Sequence, residues 1–93
     1  MILSFSCKET EKVSLGLYSK NWDINIRRVA MRRLDYLDSA VNLEDLRIPP
    51  SNRLHQLKDN LKWFYSISIN MKWLIIFVWK DGNAYEVKIT DYH

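Results

Sequence analysis

Trp73-Leu74-Ile75-Ile76-Phe77-Val78-Trp79, followed by Lys80-Asp81-Gly82-Asn83, is the stretch that decides the architecture. Seven consecutive apolar residues fall far short of the roughly 20 that a membrane helix requires, and turn residues follow directly, so the run reads as a strand buried on both faces. Asp-Gly accepts the positive φ angles of a tight hairpin, so residues 84–93 return as a partner strand and close the sheet. Upstream, residues 64–70 alternate, with Tyr65, Ile67 and Ile69 on one side. Residues 53–58 read as another short strand. Pro49-Pro50-Ser51-Asn52 separates this strand-rich half from a helical one.

Working outward to the start of the chain, Ile2-Leu3-Ser4-Phe5 can form a short first strand. Ser6 stands three residues before Glu9, a capping-box spacing, and predicts a short helix ending near Gly16. A second helix follows Asn21 and Asp23, because Ile26, Val29, Ala30, Leu34, Leu37 and Val41 recur at three-and-four spacing and share one side. Arg28 and Arg32 lie opposite that side, as on an ordinary solvated face. Arg33 falls inside the apolar arc. It must snorkel past the edge of the core or find a carboxylate, since an unpaired buried guanidinium costs several kcal/mol, and such a position can border a functional groove. Asn42, with Glu44 and Asp45, can open one more turn. Helices first and meandering strands afterwards argue an α+β domain, with helices on one face of an antiparallel or mixed sheet. Residues 1–93 form one such domain.

Composition agrees. Ninety-three residues, 47% apolar and 27% charged, suit a single folded domain and exclude a two-domain enzyme or a disordered chain. Two glycines and two prolines leave no material for a phosphate-cradling loop or a flexible linker. The lone Cys7 cannot form an intramolecular disulfide, and residues 1–7 lack the basic lead of a secretory signal, so a cytoplasmic protein is expected. The net charge is +3, and all of it arises between Lys20 and Lys62, where nine basic residues face six acidic ones. Such a basic sector favours a polyanionic partner: RNA, DNA or an acidic protein segment.

Only two histidines are present, His55 and His93, and neither belongs to a metal-binding spacing, so no metal or other cofactor is expected. Imidazoles titrate near neutral pH. Two of them with a cation make a minimal kit for cutting RNA through its own 2′-hydroxyl: a base, an acid and a charge stabiliser. Taken singly, His55 can equally be a solvated strand residue and His93 a frayed end. Strand alternation puts Asp91 on the same side as His93, where its carboxylate, or the chain's terminal one, can orient the imidazole.

The chain resembles the HigB toxins of the RelE/ParE superfamily over nearly its whole length. The resemblance is carried by Met1-Ile2-Leu3-Ser4-Phe5 with Glu9-Thr10-Glu11, Ile26-Arg27-Arg28-Val29-Ala30 through Arg33-Leu34-Asp35, and Leu37-Asp38. It continues through Leu43-Glu44-Asp45-Leu46-Arg47, Pro49-Pro50-Ser51-Asn52-Arg53-Leu54, Tyr65-Ser66-Ile67, Trp73 and the closing Asp91-Tyr92-His93. It implies the small RelE-like fold and a ribosome-dependent mRNA endonuclease that inhibits translation. It also implies a HigA-type helix-turn-helix antitoxin as partner, contact with operator DNA only through that antitoxin, and no membrane. Site residues implied by the motif are His55, Asp91, Tyr92 and His93, with Lys58 as a phosphate contact. Lys62, Lys72 and Arg53 are further candidate RNA or phosphate contacts.

Two departures from the family pattern bear on activity. Family members commonly carry arginine directly after the tryptophan, and often another in the preceding strand, where this chain has Leu74 and Ser68. The usual Gly-Asp-Arg-x-Gly connection is replaced by Asp59-Asn60-Leu61-Lys62-Trp63. Losing one preorganised charge at a developing oxyanion costs about 10²–10³ in rate, and lysine lacks the bidentate fork of arginine. The alternative reading is therefore a catalytically weakened or inactive relative that acts by binding antitoxin or ribosome. The aromatics Trp63, Phe64, Tyr65 and Trp73 can pack the core or offer faces to unstacked bases, and Trp63 fits a core least well.

Overall fold

Asp81 and Gly82 both take positive φ angles, 53° and 78°, and Lys80 pairs with Asn83 across them, giving the hairpin that Asp-Gly predicts. It joins β3 (Trp73–Lys80) to β4 (Asn83–Asp91). With β2 (Phe64–Ser68) and β1 (His55–Gln56), these form a four-stranded sheet in the order β1-β2-β3-β4, every neighbouring pair antiparallel. The computed structural model describes residues 1–92.

Two helices, α1 (Lys8–Ser14) and α2 (Ile24–Ser39), supply the rest of the core. Ile67, Ile75, Phe77, Val87 and Ile89 of the sheet pack with Val13, Ala30, Leu34, Leu37 and Leu46 in one buried cluster. The two-residue period of the strands sends Ser66, Ser68, Leu74 and Ile76 to the opposite face, where all four are also buried. Asp23 caps α2, its carboxylate accepting the Ile26 N–H at 2.9 Å. The helix stops at Ser39, so Val41, expected on its apolar side, is 74% exposed.

The start of the chain covers the free edge of β4. Leu3 and Ser6 donate their N–H groups to Ala84 and Val87 carbonyls, and Ala84 and Val87 donate back to Met1 and Ser4. These are isolated parallel bridges rather than a full strand. The expected capping box at Ser6 and Glu9 does not form, because tertiary partners claim both side chains. The Ser6 hydroxyl donates to the Glu86 carbonyl, and the Glu9 carboxylate accepts from Ser19 at 2.7 Å and Lys12 at 3.0 Å. Those two contacts, Ser19 first, hold the Glu9 carboxyl below its usual range. Residue 7 is the N-cap instead. Further along β4, the buried Thr10 hydroxyl accepts the Ile89 N–H at 2.9 Å and ties α1 to the edge.

Arg33 finds amide and hydroxyl oxygens instead of a carboxylate. One guanidinium nitrogen donates to Asn52 Oδ1 at 2.6 Å and another to Ser51 Oγ at 3.2 Å, while its buried Nε has no partner among the described residues. Asn52 is fully buried, and its amide donates to the carbonyls of Leu46 and Ile48. Those carbonyls belong to the segment around the 3₁₀ turn Leu43–Arg47, whose start is held by Asp45 accepting the Val41 and Asn42 N–H groups. One asparagine therefore fastens α2 and this turn to the chain that enters β1 three residues later.

Candidate active site

His55 opens β1 and pairs with Ser66 across the β1–β2 ladder. Ser66 in turn pairs with Ile76, and Ile76 with Lys88. Residues directly opposite one another share a face of the sheet, so His55, Ser66, Ile76 and Lys88 form one row across the face that the helices leave open. The next row runs Ser68, Leu74, Thr90. Both rows border a groove of about 860 Å³. Its apolar surface comes from Leu54, Leu57, Leu61, Met71, Leu74 and Ile76, and its polar surface includes Arg53, His55, Lys88, Thr90, Asp91 and Tyr92.

Of the residues singled out from sequence, the groove brings together His55, Asp91, Tyr92 and Arg53. Asp91 ends β4 opposite Trp73, and Tyr92 is 48% exposed with its N–H donated to the Lys72 carbonyl at 2.8 Å. His93 lies outside the described residues. Arg53 adopts a left-handed conformation, φ 51° and ψ 52°, at the end of the 3₁₀ turn Pro50–Asn52. That turn is held in place by Asn52, so the buried network behind α2 sets the course of the backbone through Arg53 to His55.

Lys58, Lys62 and Lys72 do not line the groove, though each follows a residue that does: Leu57, Leu61 or Met71. The Lys62 ammonium lies 5.2 Å from the centre of the Trp63 ring, and that of Lys72 lies 5.2 Å from the Trp73 ring. Trp63 is 70% exposed, which excludes core packing for it. Tyr65 and Trp73 pack against the core cluster. Arg33, despite its anomalous position on α2, lies away from the groove lining. Leu74, at the position where the resemblance implies arginine, is 6% exposed and makes an aliphatic floor.

Lys88 escaped sequence reasoning. Nothing local marks it, because β4 reads there as a closing strand with an ordinary outward lysine; only the register of three successive ladders aligns it with His55. Cys7 follows Ser6, whose N–H is donated to the carbonyl of Val87, the residue before Lys88. Burial pushes its thiol up, but hydrogen bonds with Thr10 and Glu9 and the Lys88 charge outweigh burial and leave it below the usual thiol range.

Chemically, the groove offers an imidazole, a carboxylate, a phenol, a guanidinium and an ammonium above an apolar floor. Among the described residues, no group of three or more His, Cys, Asp or Glu side chains is gathered to hold a metal ion, and no helix is long and apolar enough to cross a membrane. Residues 18–93 match the family described as the RelE-like toxin HigB of type II toxin–antitoxin systems. The chain belongs to the HigB-like toxin family. Among curated relatives, it is 45% identical to Toxin HigB-1 of Vibrio cholerae serotype O1 over 60 residues, 64% of this chain and 63% of that protein. It is 33% identical to Endoribonuclease HigB of Proteus vulgaris over 61 residues, 66% of this chain and 65% of that protein. In both comparisons the matched segment is less than two thirds of the HigB relative's own length.

Proposed function

We propose that this HigB-like chain is a ribosome-dependent mRNA endonuclease that inhibits translation and is neutralised by a HigA-type antitoxin. The observation that carries the reading is the gathering of His55, Arg53, Asp91 and Tyr92 on one groove in a member of a toxin family that includes a named endoribonuclease. The nucleophile comes from the substrate. The 2′-oxygen bonds to phosphorus as its proton passes to one imidazole; the bond to the 5′-oxygen breaks, and that oxygen takes a proton from the other. His55 and His93 share these two roles, with Asp91 orienting an imidazole and Tyr92 holding the nucleotide. Arg53 supplies charge inside the groove, and Lys58, Lys62 and Lys72 hold flanking phosphates. The exposed Trp63 beside Lys62 offers a face to an unstacked base, a contact worth about 1–3 kcal/mol. The antitoxin is the protein partner, operator DNA is reached only through it, and no membrane is involved.

Purified protein added to translating ribosomes tests the reading: cut mRNA is the expected result, and intact mRNA contradicts it. The aliphatic floor at Leu74 favours a second reading, a damaged enzyme that only binds. Leu74→Arg separates the two. An enzyme whose other cations suffice should show cleavage within a few-fold of the parent, whereas a gain of about 10²–10³ marks a catalytic centre that lacks its charge.

A further inference from the structure

We propose that Lys88 holds the reacting phosphate of the RNA, facing His55 from the opposite end of the same cross-strand row. The proposal rests on the nuclease reading above and names a residue which that reading did not include. Neighbouring strands lie about 4.8 Å apart, so the buried Ser66 and Ile76 fill the floor between the two side chains. His55 and Lys88 thus stand on opposite sides of a strip two strands wide, and both line the same groove. A lysine stem is long enough to lean over Ile76 and set its ammonium above the strip.

Three features make Lys88 suited to an anion. It is half-buried, so its charge is less screened than that of a surface lysine. Among the described residues, the salt bridges are Lys12 with Glu9 and Arg47 with Glu44, and Lys88 takes part in neither. Its floor is Ile76 with Leu74 one diagonal step away, an apolar surface on which an electrostatic contact is worth more than in water. Lys58, Lys62 and Lys72 lie outside the groove lining, and two of them sit over tryptophan rings. A phosphate placed between His55 and Lys88 has an acid–base group on one side and a fixed positive charge on the other, the arrangement that stabilises a developing phosphorane.

The test uses the full chain as parent, Lys88→Ala, Lys88→Gln and Lys88→Arg, with thermal unfolding to confirm that each folds. On translating ribosomes, Lys88→Ala and Lys88→Gln should lower the maximal cleavage rate by about 10²–10³, and Lys88→Arg should restore most of it. Binding of a fluorescent single-stranded RNA oligonucleotide, measured in a His55→Ala background across a salt series, gives a readout independent of cutting. There, the slope of log affinity against log salt should fall by about 0.7 when one phosphate contact is lost, and should stay at the parental value with arginine. If the parent fails to cut mRNA, the nuclease reading fails and the salt slope alone decides the role of Lys88. Where the parent cuts, equal cleavage by Lys88→Ala overturns the proposal; an unchanged slope, or no RNA binding by the parent, overturns it in either case.

Discussion

His55→Ala should lower mRNA cleavage on ribosomes by about 10²–10⁴-fold, the usual contribution of a positioned general acid or base, while leaving the melting temperature where it was. His55 is exposed and sits on a two-residue strand, and its imidazole packs into no core cluster, so deleting it removes chemistry and little else. Cleavage rate at saturating protein and thermal unfolding of the same preparation are the paired measurements. A rate within a few-fold of the parent would mean that this imidazole takes no proton and that the groove serves only to bind. A fall in both quantities would mean that His55 holds the β1 edge together.

Asn52→Ala is expected to have the largest effect on stability, about 3 kcal/mol, from hydrogen bonds to a charged partner and buried carbonyls left unmade. In a domain of this size that corresponds to a melting temperature lower by more than about 10 °C. The side chain is fully buried and uses both ends: the oxygen accepts from Arg33 at 2.6 Å, and the nitrogen donates to Leu46 at 3.0 Å. Removing it leaves the guanidinium only the longer contact to Ser51, with an Nε that already lacks a partner among the described residues. Ser51→Ala is the control. It deletes the longer, exposed contact to the same guanidinium, and should stay within about 0.5 kcal/mol of the parent. Because Asn52 also directs the chain into Arg53 and His55, cleavage by Asn52→Ala should fall even at temperatures where the protein remains folded.

Sequence patterns were most legible where one local rule dominates. Asp81-Gly82 could form little but a tight turn, the seven-residue apolar run could be little but a doubly buried strand, and Ile67 followed its alternation into the core. Arg33 stood out correctly as a charge in the wrong place, yet its partners, Asn52 and Ser51, are 19 and 18 residues away and bear no charge. Tertiary contacts defeated the Ser6 and Glu9 capping box, since both side chains had better partners than the helix end. The candidate site was legible as residue types from the closing motif and from His55. Lys88 was not, because its alignment with His55 depends on the summed register of three ladders, which no single segment encodes.

The central claim, that RNA is cut by its own 2′-hydroxyl under imidazole catalysis, is tested most directly by the chemistry of the fragment ends. Translating ribosomes treated with the protein should yield upstream fragments ending in a 2′,3′-cyclic or 3′-phosphate and downstream fragments beginning with a 5′-hydroxyl. Upstream fragments ending in a 3′-hydroxyl, with downstream fragments carrying a 5′-phosphate, would require a different nucleophile and contradict the account.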